Sequence, residues 1–586
     1  MKKVLLFTTL IGLMLLSACS KVDEPNVPPI DGPKQEELDK EALEKKIEER
    51  RLLEEERKAE LGEFYVPLPA LDQENDLVTV EAKALYMTSN VAGFPFNLDD
   101  IEYYKNYVLA LKDGQTFDES RLDQVNKLEK ILGIAEASEI NAIVIDVKND
   151  EGLVAWKSDI QIVNSVGSNW NTPMKDFPTL MNYLKEKGIY TIARVVAFKD
   201  PFFAKNNPDH AIQLSAGGVY LDKAGYAWVN PFDEFIWKYV VAISQEAALR
   251  GFDEIQYDYV RFPDNAKHYN PITYFPGRND RDKDEAIRDF LLYAREKLKP
   301  YNVHVSADVF GVVTHSWDDK PEDIGQTWRL IANSTEYISP MIYPSHYGSG
   351  FYGFNVPDQY PYEVVRTALL EALERNAAQK DPAIIRSWYQ GFTASWVKGY
   401  ITYQEEAIGK QIAAGVELGL NEYIIWSSTN TYYPLSFFYH DTVNMNKRVE
   451  GEDILERTPE EALKRYLDAQ IFKRYSHQYL LTTIDDRAED YDEFVKPIID
   501  SEFVLKNYEI ISITKNEDNI SKIEELYNKK LTINKYLIND EEIINKLNEY
   551  DEKLSNSTNN DEIKDIIRDM NNIYKDKEDI KMVKIS

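Results

Sequence analysis

Residues 254–261 (EIQYDYVR) read as a β-strand that carries a carboxylate and an arginine inside an otherwise apolar and aromatic run. Seven other runs share that character: 81–88 (EAKALYMT), 141–147 (NAIVIDV), 190–198 (YTIARVVAF), 303–309 (VHVSADV), 336–343 (EYISPMIY), 383–389 (AIIRSWY) and 422–428 (EYIIWSS). Helical patterns fall between them at 119–136, 177–187, 233–250, 283–298, 321–332, 362–377 and 402–419. Strands alternating with helices predict an α/β protein with a parallel sheet. Eight such strands suit a (β/α)8 TIM barrel, the eighth strand pairing back with the first. An open doubly wound sheet is the competing arrangement, but no Gly-rich phosphate fingerprint follows the first strand.

Outward from this region, 79–445, the chain changes character. Lys2 and Lys3 precede an apolar run from Val4 to Leu16, too short and too early for an ordinary spanning helix. Residues 1–18 thus read as a signal peptide. Leu16-Ser17-Ala18-Cys19 resembles the lipobox of bacterial lipoproteins, in which the cysteine is lipidated, and Cys19 is the only cysteine of the 586 residues. Residues 19–33, rich in Pro and polar groups, form a linker. Residues 34–62 are dominated by Glu, Lys and Arg and predict a charged helical stalk without a sustained heptad seam. Residues 446–586 form an accessory region, with a helical pattern over 459–481, a short strand over 508–513 and no recognisable chemistry.

With 68 Lys and Arg against 100 Asp and Glu, the net charge is −32 and no basic stripe compensates it. Nucleic acid is therefore excluded as a partner, and docking on an anionic membrane would need the lipid anchor at Cys19. With one cysteine, no intramolecular disulfide can form. None of the seven histidines makes a two-His motif at metal spacing, so neither a metal nor a cofactor is expected.

A TIM barrel holds its active site at the C-terminal ends of its strands. The candidates there are Asp146 with Lys148, Arg194, Asp258 with Arg261, Asp308, and the Tyr343/His346 pair. Charge inside an apolar strand is costly unless it is paired or functional. Asp258 and Asp308, on neighbouring strands, would converge over the mouth, and glycoside hydrolysis needs such a carboxylate pair. Each also has a plainer reading: Asp258 as an ion pair with Arg261 or Arg194, Asp308 as an orienting group. Asp146 and Lys148 could pair with each other and position substrate. Tyr343 binds substrate or caps the core. Trp388 and Trp426 form a stacking floor for sugar rings or pack inside it.

The segments 145–152 (IDVKNDEG), 192–201 (IARVVAFKDP), 256–263 (QYDYVRFP) and 306–311 (SADVFG) resemble a TIM-barrel family of putative glycosyl hydrolases. That family was defined as a domain of unknown function in bacterial envelope proteins. The resemblance covers roughly 80–440 and implies glycosidase chemistry, with the catalytic Asp at the end of the fourth strand, here Asp258. The partner role of Asp308 follows from strand position instead. The expectation is an extracytoplasmic, lipid-anchored glycoside hydrolase acting on cell-envelope or exopolysaccharide glycans. Asp258 would be nucleophile or base and Asp308 general acid, with Asp146, Lys148, Arg194, Tyr343, His346, Trp388 and Trp426 binding substrate. The alternative is an inactive glycan-binding lipoprotein on the same scaffold.

Overall fold

The computed structural model describes residues 35–71, 77–315, 323–379 and 382–438, with 458–471, 475–482, 491–500 and positions 505, 508 and 510. The signal peptide, Cys19, the linker and most of the accessory region lie outside the described residues.

Eight parallel strands close into a barrel. They are Lys83–Met87, Ala142–Lys148, Tyr190–Val196, Glu254–Asp258, His304–Phe310, Tyr337–Ile342, Ser387–Gln390 and Tyr423–Trp426, here called the first to the eighth. Closure is explicit in the register. Ala84 pairs with Ile424 of the eighth strand, and Trp388 of the seventh pairs with Met341 of the sixth. Every residue of the second and third strands is buried, because both faces are covered. That is why these strands read as continuous apolar runs, not alternating ones. Outward-facing Ile143, Ile145, Ala193 and Val195 join the main core under the helices, while inward-facing Ala84, Ala142, Val144, Ile192 and Ile424 pack in a separate interior cluster.

Helices cover the barrel. Lys283–Leu298 begins on a capping box of Asp282 and Glu285, and Lys127–Ala137 on one of Asn126 and Glu129. The second cap explains a correction: the helix expected over 119–136 starts later, because Asn126 and Glu129 satisfy its first N–H groups there. Before it lies an unanticipated helix, Leu98–Lys112, capped by Asn97 and burying Ile101, Tyr104 and Val108 at helical spacing. The helix expected over 321–332 is shorter, Trp328–Ala332, and 316–322 lie outside the described residues. After the eighth strand the chain folds back on the end of the first: Asn430 Nδ2 donates to the Tyr86 carbonyl at 3.1 Å, and Thr88 Oγ1 donates to Asn430 Oδ1 at 2.8 Å.

The interior is not wholly apolar. At the N-terminal end, Arg386 Nη1 lies 2.7 Å from Glu254 Oε2 and its Nε 2.7 Å from Glu422 Oε2. Tyr190 and Ser306 hydroxyls also donate to Glu254, at 3.1 and 2.6 Å. Above this layer Gln256 Nε2 donates to Ser339 Oγ at 3.3 Å. The site occupies the C-terminal layer.

Outside the barrel, Gln35–Leu61 is a helix whose Leu43, Ile47, Leu52 and Leu53 are exposed. Helices Pro459–Ile471, Tyr475–Leu481 and Tyr491–Asp500 occupy the accessory region. Of the strand expected over 508–513, Tyr508 and Ile510 are described, and neither is in a strand. No described helix is long and apolar enough to cross a membrane.

Candidate active site

Alternation along each strand decides which side chains enter the barrel. Asp146, Arg194, Asp258 and Asp308 face inward near the C-terminal ends of the second to fifth strands, and Arg194 joins Asp146 to Asp258 there. Asp146 is opposite Arg194 in the register. Tyr257 is opposite Ala307, which sets Asp258 beside Asp308 one residue further on.

Arg194 binds two carboxylates at once. Its Nη1 is 2.5 Å from Asp146 Oδ1, and its Nε and Nη2 are 3.0 and 2.5 Å from Asp258 Oδ2. The partner of Asp258 is therefore Arg194, not Arg261. Arg261 pairs with Asp264 at 2.5 Å and lies over the Phe310 ring at 4.3 Å. Tyr259 takes a positive φ of 48°, sparsely populated for an aromatic residue, and its N–H then donates to Asp258 Oδ1 at 2.5 Å. Three donors thus fix Asp258 as a hydrogen-bond acceptor. The Tyr86 hydroxyl donates to Asp146.

Asp308 has the opposite surroundings. It is buried, its Oδ1 accepts from Trp388 Nε1 at 2.6 Å, and its Oδ2 has no protein partner. Burial, and next the charge of Asp258, push its carboxyl well above the usual range, against the pull of Trp388 and Arg194. Asp258 and Asp308 are on adjacent strands, and a negative charge on Asp258 disfavours one on Asp308. Burial, then the charges of Asp308 and Asp258, hold the Tyr343 phenol well above its ordinary pKa. Tyr343 is therefore a protonated donor beside the pair, and its hydroxyl makes no hydrogen bond to protein among the described residues.

The other sequence candidates divide. Trp426 is half-buried and packs against Tyr343, Phe392 and Tyr86 with ring centroids 5.8, 5.1 and 6.2 Å away. Trp388 is buried and serves as the donor to Asp308, so it lies beneath the site and is no open platform. His346 is exposed at the rim, edge-on to Tyr343 at 5.4 Å. Lys148 departs from expectation. The register shifts between Asp146 and Lys148, and this irregularity turns Lys148 outward toward the helix layer. There it is fully buried, 2.9 Å from Asp200 Oδ2 and 2.8 Å from the Val196 carbonyl. It neither pairs with Asp146 nor reaches the mouth. Among the described residues no group of His, Cys, Asp and Glu could hold a metal ion.

Sequence reading missed Asp200, which anchors Lys148 and also caps the helix Pro201–Asn206 through Phe203 N–H at 2.7 Å. A Cβ at Gly152, whose φ is +89°, would stand 1.9 Å from Asp200 Oδ1. Gly152→Ala should therefore cost about 1–3 kcal/mol from backbone strain, plus the displacement of Asp200. A lowered denaturation midpoint would register it, and an unchanged one would contradict the crowding.

A family model described as a putative glycosyl hydrolase domain matches residues 118–432. Among solved structures, the chain is similar to a hypothetical protein from Ruminiclostridium thermocellum, at 30% identity over 38% of this chain and 97% of that one, with a TM-score of 0.30. It is also similar to the PgaB (BpsB) glycoside hydrolase domain from Bordetella bronchiseptica, at 13% identity over 60% and 94%, TM-score 0.38. A third likeness is the glycoside hydrolase domain of a PelA variant from Pseudomonas aeruginosa, at 11% identity over 51% and 92%, TM-score 0.29. A search of curated proteins finds no match.

Proposed function

Because the chain belongs to this glycosyl hydrolase domain family, we propose that it is an extracytoplasmic, lipid-anchored glycoside hydrolase acting on cell-envelope or exopolysaccharide glycans. The observation that carries the reading is the unequal carboxyl pair. Asp258 is an acceptor clamped by Arg194, while Asp308 is driven toward its protonated form with one oxygen free of protein partners. Glycoside hydrolysis needs that division: an acid to protonate the leaving oxygen and a carboxylate for the anomeric carbon.

In the first step Asp308 gives its proton to the glycosidic oxygen as the C1–O bond breaks, and Asp258 attacks C1. In the second, water attacks C1, the Asp258–C1 bond breaks, and the water proton goes to Asp308. Both residues end as they began. This double displacement needs the two carboxyls about 5–5.5 Å apart, and inversion needs them about 6.5–9.5 Å apart. Tyr343 donates to a substrate oxygen, and Arg194 holds Asp258 in place. Trp426 offers its face to a sugar ring. The apolar leader and Cys19 support attachment through a lipid, since a net charge of −32 gives no attraction to an anionic surface.

The test compares wild type with Asp258→Asn on bacterial exopolysaccharides, peptidoglycan and α- and β-glucans, following released reducing ends. Turnover that the substitution abolishes supports the reading. Equal binding of one polymer by both, with no turnover, would replace it by the glycan-binding alternative. With a 2-deoxy-2-fluoro glycoside, a covalent adduct on Asp258 is expected by peptide mass spectrometry, and inverted product by NMR would contradict the double displacement. Incorporation of an alkyne fatty acid, lost in Cys19→Ser, tests the anchor.

Trp388 supplies a pH prediction. Its indole N–H lowers the pKa of Asp308 by stabilising the carboxylate. Trp388→Phe removes that donor, so the Asp308 pKa rises further. The alkaline limb of kcat/KM should move to higher pH in the variant, and a shift to lower pH would refute the assignment of Asp308 as acid.

A further inference from the structure

We infer that the loop after the seventh strand carries a sugar-binding subsite, formed by Phe392 and the exposed ring of Trp396, which holds a linear polysaccharide at a distance from the bond being cut. The inference rests on the hydrolase reading in taking the bound polymer as substrate.

Trp396 is 68% exposed. A tryptophan left in water forgoes most of what its burial would contribute to folding, and here the ring extends an aromatic surface that runs through Phe392 and His346. The ring is nonetheless ordered against a neighbour: it stacks on Phe392 with centroids 5.9 Å apart and planes 16° from parallel. The loop beneath is built to hold this pose. Buried Asp358 accepts from the Ile401 N–H at 3.0 Å and from Gln390 Nε2 at 3.1 Å. Gln390 Nε2 also donates to the Phe392 carbonyl at 3.0 Å, and Gln359 Nε2 donates to the Gly399 carbonyl at 2.6 Å. The Tyr403 N–H donates to Thr393 Oγ1 at 3.0 Å. Start, middle and end of the loop are each fixed by a side chain.

The platform is continuous with the carboxyl layer. His346 meets Phe392 and Trp396 edge-on at 6.2 and 6.4 Å, and Phe392 meets Tyr343 at 5.9 Å and Trp426 at 5.1 Å. On the other rim, Tyr226 is 44% exposed with Lys199 Nζ 5.1 Å from its ring. Lys199 in turn pairs with Asp150 at 2.9 Å and lies 4.7 Å from the ring of Tyr259, the neighbour of Asp258. Strands three and four face strands seven and eight across an eight-stranded barrel. Exposed rings therefore flank the carboxyls on opposite sides, an arrangement that fits a chain crossing the mouth and cut internally. Flat indole and phenyl faces match the C–H faces of pyranose rings.

The test uses the full chain in the Asp258→Asn background, so that binding is read without turnover. Hexasaccharides and disaccharides of glucose, N-acetylglucosamine and N-acetylgalactosamine are titrated calorimetrically. Trp396→Ala should weaken the best hexasaccharide tenfold or more, change the disaccharide less than twofold, and be rescued by Trp396→Tyr. Equal hexasaccharide affinity with and without Trp396, or no hexasaccharide binding at all, would overturn the subsite. Turnover by the chain with its native Asp258 is measured in parallel. Turnover with Trp396-independent binding removes the subsite and keeps the hydrolase. Trp396-dependent binding without turnover keeps the subsite and removes the hydrolase.

Discussion

Asp308→Asn is expected to lower kcat/KM on a polysaccharide by about 10²–10⁴-fold, the usual contribution of a positioned general acid. The amide keeps the size and the Trp388 contact but cannot deliver a proton. The loss should shrink on an aryl glycoside whose leaving group needs no protonation, because there the missing step is not limiting. The pH profile gives a second readout. Burial and the Asp258 charge raise the Asp308 pKa, so wild-type activity persists above the ordinary carboxyl range and falls as pH rises through the raised value. Asp308→Asn should lack that alkaline limb. An equal loss on both substrates, with the limb intact, would assign the acid elsewhere.

Arg386→Leu is expected to destabilise the barrel by about 3–5 kcal/mol, since it strips the counter-charge from a buried carboxylate. Arg386 and Glu254 are both 0% exposed at the side chain, and their 2.7 Å contact is inside the barrel. The pair need not be stabilising relative to an apolar isostere; the cost comes from stranding Glu254 and, 2.7 Å from Arg386 Nε, Glu422. The double substitution Arg386→Leu/Glu254→Leu should therefore recover part of the loss, with Glu422 still lacking its partner. Urea midpoints of the three proteins decide the matter, and a single variant as stable as wild type would show that water reaches Glu254. Because the pair sits in the N-terminal layer, residual activity of the folded variant should stay near wild type.

The eight strands were legible because both faces of each are covered, which forces the apolar runs seen in 141–147 and 190–198. Polar groups inside those runs stood out for the same reason, and Asp146, Arg194, Asp258 and Asp308 prove to meet at the C-terminal end of the barrel. The helix Leu98–Lys112 was overlooked although Asn97 and the spacing of Ile101, Tyr104 and Val108 announce it; a first crossover with two helices defeats a strict strand–helix alternation. Trp396 and Phe392 escaped because a loop has no periodicity from which to read a face.

The sequence by itself thus determined the barrel and the set of ionisable groups at its mouth, since burial on two faces leaves a mark in composition that needs no partner to be seen. Tertiary structure decided the pairings: Arg194 with Asp258 and Asp146, Arg261 with Asp264, Lys148 with Asp200. It also raised the pKa of the Asp308 carboxyl, through burial and the charge of Asp258. Ion pairing depends on register between strands distant in sequence, and one register shift after Asp146 is enough to send Lys148 out of the site. Protonation depends on how much water and opposite charge each group finds once the barrel has closed.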